Sequence, residues 1–213
     1  MTKLAFRFEK IISELALCKT FADVGCDHGY VAYEMLQSGK CEFVYITDIS
    51  AECLKKAENL LSEEFDGKFK AIVTDGLKNV PKTEQVLIAG MGGELICDIL
   101  KNADFLPERL VLQPMKNAEK VRDTLIKLGY KLIKDYTFKD IKYYDLIVSE
   151  KGEDFYTPDE LLFGRDNLRE KGQAFKEQIS AKIAVLKKAI LSMGDDDRKK
   201  TLNLIEKYTE VIK

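Results

Sequence analysis

The stretch Phe21-Ala22-Asp23-Val24-Gly25-Cys26-Asp27-His28-Gly29 decides the fold, because an apolar strand leads directly into a glycine-containing turn and then a helix. This order of strand, turn and helix opens the doubly wound α/β folds that bind nucleotides. Gly25 permits a tight turn, and Gly29 permits a ligand or the sheet to approach the start of the helix. The stretch therefore predicts a ligand site at the carboxyl end of the first strand.

On both sides of this stretch, short apolar runs alternate with helical patterns. An amphipathic helix is predicted over residues 4–17, with Leu4 at the start of its apolar stripe and Arg7 on the polar side. The predicted strands cover residues 20–25, 43–47, 69–73, 85–89 and 109–113. Each run is continuously apolar, which is typical of strands buried on both faces of a parallel sheet. Five such units in succession predict a doubly wound α/β sheet.

The chain changes character after a predicted helix over residues 116–128. Runs rich in Tyr and Ile at 130–138 and 142–149, separated by Lys139-Asp140-Ile141, predict an antiparallel hairpin. Nicotinamide-type Rossmann sheets continue with parallel strands, whereas class I methyltransferase sheets close with an antiparallel strand. By fold analogy the hairpin favours a Rossmann-like class I methyltransferase domain over residues 1–152.

A helical appendage is predicted over residues 153–213. One apolar seam has the 4-3-4-3 spacing of a coiled coil and consists of Ile179, Ile183, Leu186, Ile190 and Met193. A shorter seam consists of Leu202, Ile205, Tyr208 and Ile212. Gly194 is predicted to end the first helix and Asp195 to cap the second. The pattern predicts an antiparallel coiled-coil hairpin whose two seams bury each other.

Composition places few limits on the partner. The chain has 213 residues, of which 33% are charged, and its formal net charge is −2. No global field draws it to DNA or to a membrane, although a local basic face can still bind RNA. The candidate basic tract consists of Lys116, Lys120, Arg122, Lys127, Lys131, Lys134, Lys139 and Lys142.

Cysteine and histidine usage predicts an intracellular protein without a metal site. The five cysteines include no Cys-x-x-Cys pair, and His28 is the single histidine, so the ligands of a structural zinc site are missing. The cysteines are predicted to be reduced. Charged residues at Arg7, Glu9 and Lys10 interrupt the beginning of the chain, so we expect neither a signal peptide nor a membrane span and predict a cytoplasmic location.

The charge of the first loop favours one nucleotide cofactor over another. The full Gly-x-Gly-x-x-Gly fingerprint is absent, and Asp27 would repel a pyrophosphate. S-adenosylmethionine carries no phosphate and presents a sulfonium and an ammonium group. An acidic loop therefore predicts S-adenosylmethionine rather than NAD.

Polar and glycine residues follow the next predicted strands. Asp48 follows the second strand, where it either accepts hydrogen bonds from ribose hydroxyls or merely caps the helix that begins near Ser50. Asp75-Gly76 follows the third strand, where Asp75 either accepts the exocyclic amine of adenine or belongs to a plain turn. The fourth strand ends in Gly90-Met91-Gly92-Gly93, and so many glycines predict a close approach of a ligand to the backbone.

His28 and the loop after the fifth strand bear on the chemistry. His28 either orients or deprotonates a substrate or holds the loop by a hydrogen bond. Gln113-Pro114 supplies no cysteine nucleophile, which argues against methylation of cytosine C5. The absence of an Asn/Asp-Pro-Pro-aromatic motif argues against methylation of the adenine N6 amine.

Together these motifs resemble the TrmK family, the bacterial tRNA (adenine(22)-N(1))-methyltransferases. The resemblance is carried by Asp23-Val-Gly25-Cys-Asp27-His28-Gly29-Tyr30, Thr47-Asp48-Ile49, Thr74-Asp75-Gly76-Leu77, Ile88-Ala89-Gly90-Met91-Gly92-Gly93 and Leu112-Gln113-Pro114. It implies that S-adenosylmethionine donates a methyl group to N1 of adenine 22 in tRNA. Many members follow Gln-Pro with Asn, whereas this chain has Met115.

With the motifs, the resemblance implies two sets of site residues. The predicted catalytic residues are Asp27 and His28. The predicted cofactor-binding residues are Asp23, Gly25, Cys26, Asp27, His28, Gly29, Asp48, Ile49, Asp75, Gly76, Gly90, Met91 and Gly92. We expect a monomer or weak homo-oligomer. A methyltransferase for a small molecule or a protein, and a non-enzymatic Rossmann adaptor, are the alternatives left by the cofactor motifs alone.

Overall fold

The structure is a computed structural model that describes residues 5–213, so Leu4 and the first four residues of the predicted domain lie outside it. Its sheet has the strand order β3-β2-β1-β4-β5-β7-β6. The strands are β1 (Cys18–Val24), β2 (Cys41–Asp48), β3 (Phe69–Val73), β4 (Gln85–Met91), β5 (Arg109–Pro114), β6 (Tyr130–Lys139) and β7 (Tyr143–Lys151). The five predicted strands and the hairpin are confirmed.

Pairing within the sheet follows the prediction. Strands β1 to β5 pair in parallel, and β7 pairs antiparallel with both β5 and β6. Each of the first five strands is followed by a crossover, which parallel pairing requires. The sheet is therefore the doubly wound, Rossmann-like type with an antiparallel closing strand.

Helices cover both faces of the sheet and extend beyond it. Those associated with the sheet are α1 (Phe6–Glu14), α2 (Tyr30–Gln37), α3 (Ala51–Ser62), α4 (Gly93–Lys101) and α5 (Ala118–Lys127). The later helices are α6 (Pro158–Phe163), α7 (Arg165–Glu170), α8 (Gln173–Ala189) and α9 (Asp195–Val211), with a 3₁₀ turn at Ile190–Ser192 after α8.

Two apolar layers explain why the strands are continuously apolar. In β1, Phe21 packs with the cluster under α1, α2 and α3, whereas the next residue, Ala22, packs with the cluster under α4 and α5. Successive side chains of a strand point to opposite faces, so both faces demand apolar residues. All five cysteines are free thiols within this framework.

The C-terminal helices form a third apolar cluster. Ile179 and Ile183 of α8 pack with Ile205 and Tyr208 of α9, as the predicted hairpin requires. Two members of the predicted seams lie outside this cluster: Leu202 is 51% exposed, and the sulfur of Met193 accepts a hydrogen bond from Thr201. The 4-3 spacing fails there because α8 ends at Ala189 and a 3₁₀ turn follows.

The predicted caps between the two long helices were wrong, the N-cap by one position and the C-cap by four. Gly194 is the N-cap of α9, and Asp195 is its first helical residue. The C-cap of α8 is Ile190 rather than Gly194. The three aspartates in the first turn of α9 still interact favourably with the positive end of its helix dipole.

A buried ion pair joins the hairpin to the C-terminal helices and corrects the predicted basic tract. Arg122 is 1% exposed, and its Nε lies 2.9 Å from each carboxylate oxygen of Asp135. Its Nη1 donates to the carbonyl of Leu161 in α6. Arg122 therefore cannot contact a nucleic acid, and its inclusion in the tract was wrong.

Most of the other basic residues of that tract are paired. Lys127 with Asp123, Lys134 with Glu14, Lys139 with Glu177 and Lys120 with Glu94 form ion pairs. Within residues 5–213, the members without an ion pair are Lys116, Lys131 and Lys142.

Gly93 is required by packing, which gives a first testable prediction. A Cβ at Gly93 would lie 2.4 Å from the carbonyl oxygen of Asn117 and 2.7 Å from that of Lys116. We expect Gly93→Ala to lower the free energy of unfolding by about 1–3 kcal/mol, because backbone atoms must move to admit the methyl group. Urea unfolding measures this. Gly194→Ala, which enters open space, is the control, and equal losses in both variants would contradict the prediction.

Candidate active site

A cavity of about 320 Å³ opens at the carboxyl edge of the sheet, where the strand order reverses between β1 and β4. Ligands of doubly wound folds bind at this reversal. The cavity is lined by Arg7, Phe8, Asp23, Gly25, Cys26, Asp27, His28, Tyr30, Val31, Asp48, Leu87, Ala89, Gly90 and Met91. A second cleft, lined by Thr20, Glu84 and Glu108, lies at the amino ends of the strands, away from this edge.

The loop after β1 forms one wall of the cavity. The backbone N–H groups of Gly25 and Cys26 both donate to the carbonyl of Thr47, which ties the loop to β2. Gly25 and Asp27 have positive φ values of 71° and 50°. Aspartate tolerates this conformation better than most residues. The loop thereby turns sharply and leaves backbone exposed to the cavity.

Met91 covers the glycine of this loop. A Cβ at Gly25 would lie 2.2 Å from the Cε of Met91. Gly90, beside Met91, also has a positive φ value, of 81°. The glycines predicted from sequence thus bring the ends of β1 and β4 together at the floor of the cavity.

Two carboxylates lie deeper in the cavity. Asp23 is 5% exposed, and burial raises its pKa to about 7, reinforced by the charge of Asp48 and opposed by a hydrogen bond from the backbone of Ala32. Asp48 lines the cavity and also accepts a hydrogen bond from the Ser50 backbone, 2.8 Å away. The helix cap is Ser50, whose hydroxyl accepts a hydrogen bond from the Cys53 backbone, so the interpretation of Asp48 as the cap was wrong; Asp48 instead lines the cavity.

The two predicted catalytic residues form a pair at the mouth of the cavity. The Nδ1 of His28 lies 2.9 Å from a carboxylate oxygen of Asp27, and the two side chains are 46% and 68% exposed. The His28 ring stacks on Tyr30 with its plane tilted by 2° and the centroids 5.7 Å apart. Both side chains are open to a substrate that enters from solvent.

Arg7 is the residue that sequence reasoning missed. It was assigned to the polar side of the first helix, yet its Nε donates to Gln113 at the end of β5, 2.7 Å away. Its guanidinium lies over the ring of Tyr144, 5.3 Å from the centroid, and borders Gly90. Among the described residues that line the cavity, Arg7 is the only arginine or lysine. No local pattern signals this contact, since Arg7 and Gln113 are 106 positions apart.

Other predicted cofactor residues are not brought to the cavity wall. A Cβ at Gly29 would lie 2.8 Å from the Cβ of Ala57, so Gly29 permits helix packing rather than ligand approach. A Cβ at Gly76 would lie 2.8 Å from Ile99, again in the protein interior. Both glycines therefore allow close packing inside the protein.

The remaining predicted residues lie near the edge without lining the cavity. Ile49 is 77% exposed, next to Asp48. Asp75 forms an ion pair with Lys78 at 3.1 Å, and its side chain is 58% exposed. Gly92 is the N-cap of α4 and borders the Lys116 side chain.

Two further findings concern the part of the chain that the structure covers. Over residues 5–213, no group of three or more His, Cys, Asp and Glu side chains is arranged to hold a metal ion. No helix in that range has both the length and the apolar character needed to cross a membrane.

Comparisons with known proteins agree with this geometry. A tRNA (adenine(22)-N(1))-methyltransferase of Bacillus subtilis is 30% identical over 158 residues, which cover 71% of this chain and 66% of that protein. The matched stretch covers 50% of another curated relative, so the chain aligns with about half to two thirds of the length of these relatives.

Solved structures match over nearly the whole chain. A protein of the NADB-Rossmann superfamily from Streptococcus agalactiae is 26% identical with a TM-score of 0.93, and 99% of this chain covers 98% of that one. A putative tRNA (m1A22) methyltransferase of Streptococcus pneumoniae, in complex with S-adenosyl-L-methionine, is 23% identical with a TM-score of 0.91, and 99% of this chain covers 100% of that one.

A family model described as TrmK, tRNA (adenine(22)-N(1))-methyltransferase, matches residues 21–213, from within β1 through the C-terminal helices. The chain therefore belongs to the TrmK family.

Proposed function

We propose that this protein transfers a methyl group from S-adenosylmethionine to N1 of adenine 22 in tRNA. The observation that carries the proposal is an acid-lined cavity at the reversal point of a methyltransferase sheet, in a chain that belongs to the TrmK family. The relatives described as tRNA methyltransferases support the substrate, and the S-adenosylmethionine complex of the pneumococcal protein supports the cofactor.

The cavity fits such a cofactor in charge and shape. Asp23 and Asp48 are placed to hold cationic and hydroxyl groups, whereas a pyrophosphate would be repelled. Gly25 and Gly90 let the side chains of Met91 and Arg7 lie against the backbone at the floor of the cavity, in space that a Cβ would take. Arg7 is suited to hold a carboxylate, because a guanidinium binds a carboxylate through two parallel hydrogen bonds. We propose the remaining predicted residues Asp75 and Ile49 as contacts at the rim.

Methyl transfer to adenine N1 requires little from the protein beyond alignment of the base with the cofactor. When bound, S-adenosylmethionine supplies a methyl group on a positively charged sulfur. Neutral adenine has a free lone pair on N1, so the protein needs no strong base and acts by orienting the ring and excluding water. The methylated ring is cationic, and Asp27 at the mouth stabilises that charge. His28 and Tyr30 offer a stacked aromatic surface for the base.

Transfer of labelled methyl to unmodified tRNA, followed by nucleoside analysis, tests the proposed function. We expect 1-methyladenosine to form, and we expect it to be lost when adenine 22 is replaced by guanine. Cofactor binding without methylation of tRNA would overturn the proposed substrate. Methylation that persists after the replacement would overturn the proposed position.

The raised pKa of Asp23 predicts a pH-dependent affinity for the cofactor product. A cationic ligand group beside Asp23 favours the ionised carboxylate, so binding below pH 7 must release a proton. We expect the affinity for S-adenosylhomocysteine to rise about tenfold from pH 6 to pH 7 or slightly above, and then to level off. Calorimetry in buffers of different ionisation enthalpy measures the released proton. Asp23→Asn should flatten the profile, and an unchanged profile would contradict the assignment.

The same proposal includes the division into two domains, the cellular location and the oligomeric state. Residues 1–152 form the methyltransferase domain and residues 153–213 its helical appendage, a division supported by the separate apolar cluster of the later helices. We further propose that the protein acts on tRNA in the cytoplasm, which the family's substrate supports, and that it is a monomer or weak homo-oligomer.

A further inference from the structure

A second concave surface lies between the hairpin and the C-terminal helices, and no role has been assigned to it. This groove has a volume of about 490 Å³. Its lining residues are Met115, Lys142, Tyr143, Gln178, Ala181, Lys182, Val185, Leu186, Leu204 and Tyr208. It is formed by the loop after β5, the beginning of β7 and the facing sides of α8 and α9.

The groove has an apolar floor that solvent reaches. Val185 is 66% exposed and Met115 is 45% exposed, so both present apolar surface to solvent. Tyr143 and Tyr208 add aromatic surface. Such a surface is suited to the flat face of a nucleobase, which stacks on aromatic and apolar side chains.

The charge of the groove favours an anion beside that base. Lys142 and Lys182 are exposed and form no ion pair with any residue of the described range 5–213. No carboxylate lines the groove within that range. Glu177, which contacts the groove residue Tyr143, accepts hydrogen bonds from both Lys139 and Tyr143, so its charge is paired with that of Lys139.

The groove and the active-site cavity are neighbours in the fold, although they share no lining residue. The backbone N–H of Met115 donates to the carbonyl of Met91, which covers the cavity floor. Tyr143 and Tyr144 are successive residues of β7, and Tyr144 carries the Arg7 guanidinium of the cavity. Side chains at successive strand positions point to opposite faces of the sheet. Tyr144 accordingly contacts Arg7 of the cavity, whereas Tyr143 lines the groove.

We propose that the groove holds an unstacked base of the tRNA substrate next to the methylated adenosine, with Lys142 and Lys182 on its phosphates. The inference rests on the proposed function. Methylation at N1 requires the target nucleotide to leave its stack, which exposes the face of its neighbour. An apolar surface adjoining the cavity compensates for that lost stacking. A symmetric second copy fits poorly, because it would bring the same two lysines against each other.

Direct tRNA binding at several salt concentrations tests the groove. We expect Val185→Gln to weaken binding about tenfold with an unchanged salt dependence, because it removes apolar contact and no charge. The double variant Lys142→Gln/Lys182→Gln should weaken binding and reduce the slope of log K against log salt by about 1.5. Affinity for S-adenosylhomocysteine should stay within about twofold in both variants, since none of the three substituted residues lines the cavity.

Matched substitutions outside the groove serve as controls. Lys188→Gln removes a charge from the same helix, and Leu191→Gln removes an 84% exposed apolar side chain beyond its end. Groove variants that bind tRNA as well as these controls would overturn the inference. Sedimentation velocity tests whether a second copy of the chain occupies the groove instead. A wild-type dimer that Val185→Gln converts to a monomer would assign the groove to that second copy and would also overturn the inference.

The same measurements separate this inference from the proposed function. A wild-type protein that binds tRNA through the groove without methylating it would leave the groove assigned and refute the reaction. A wild-type protein that methylates adenine 22 with unaffected groove variants would retain the reaction and refute the groove. Failure of the wild-type protein to bind any tRNA would overturn both.

Discussion

Replacing Arg7 by alanine is expected to weaken binding of S-adenosylhomocysteine by about 10- to 100-fold and to leave binding of 5′-methylthioadenosine within about twofold. The two ligands share the adenosine and the thioether, but only the first carries an amino-acid carboxylate. Hydrogen bonds to charged groups contribute about 1.5–3 kcal/mol, which corresponds to this range. Isothermal calorimetry with both ligands measures the difference.

The geometry gives the reason for expecting a selective loss. Arg7 is fixed through its Nε by Gln113 and by the ring of Tyr144, so its two Nη groups need little ordering when a ligand binds. Lys10→Ala removes a positive charge from the same helix outside the cavity and serves as the control. Equal losses for the two ligands would show that Arg7 only shapes the cavity.

Replacing Asp135 by alanine is expected to lower the free energy of unfolding by about 3–5 kcal/mol, the largest stability effect we predict. The substitution leaves Arg122, which is 1% exposed, as an unpaired charge in the interior. Tyr156 and the backbone N–H of Arg165 also lose their acceptor. Chemical unfolding of the full chain measures the change.

Two comparisons make the prediction about Asp135 specific. Asp123→Ala removes a surface carboxylate that pairs with Lys127, and we expect it to cost less than about 1 kcal/mol. The double variant Arg122→Met/Asp135→Leu should recover part of the stability, because no charge remains buried. Recovery stays partial since Tyr156 and Leu161 keep unsatisfied polar atoms. A loss in Asp135→Ala no greater than in Asp123→Ala would contradict the prediction.

The contacts around the ion pair of Arg122 and Asp135 also affect the shape of the groove. Asp135 lies in β6, and its carboxylate accepts a hydrogen bond from Arg165 at the start of α7. Asn167 of α7 accepts a hydrogen bond from the Thr137 backbone of the same strand. These buried contacts fix the later helices against the hairpin, so the two walls of the groove keep a defined spacing.

The amino-acid sequence by itself determined the sheet and the first loop, and it supplied the charge pattern on which the proposed cofactor rests. The apolar run Leu110-Val111-Leu112 of β5 is buried on both faces of the sheet, and the sequence predicted the bounds of that strand to within one residue. Gly25 and Asp27 specify a sharp acidic turn through backbone freedom and charge, which are properties of the residues themselves. The family could be identified from those motifs for the same reason.

Only the tertiary structure decided which distant side chains meet. Sequence spacing placed Arg7 on a polar helix face and Arg122 in a basic tract, but packing puts the first in the cavity and buries the second against Asp135. Packing also showed that Gly29 makes room for Ala57. Periodicity fixes local backbone geometry, whereas these contacts depend on how whole helices and strands dock. The groove beside Met115 exists for that reason alone, because its walls are distant along the chain and adjacent only in the fold.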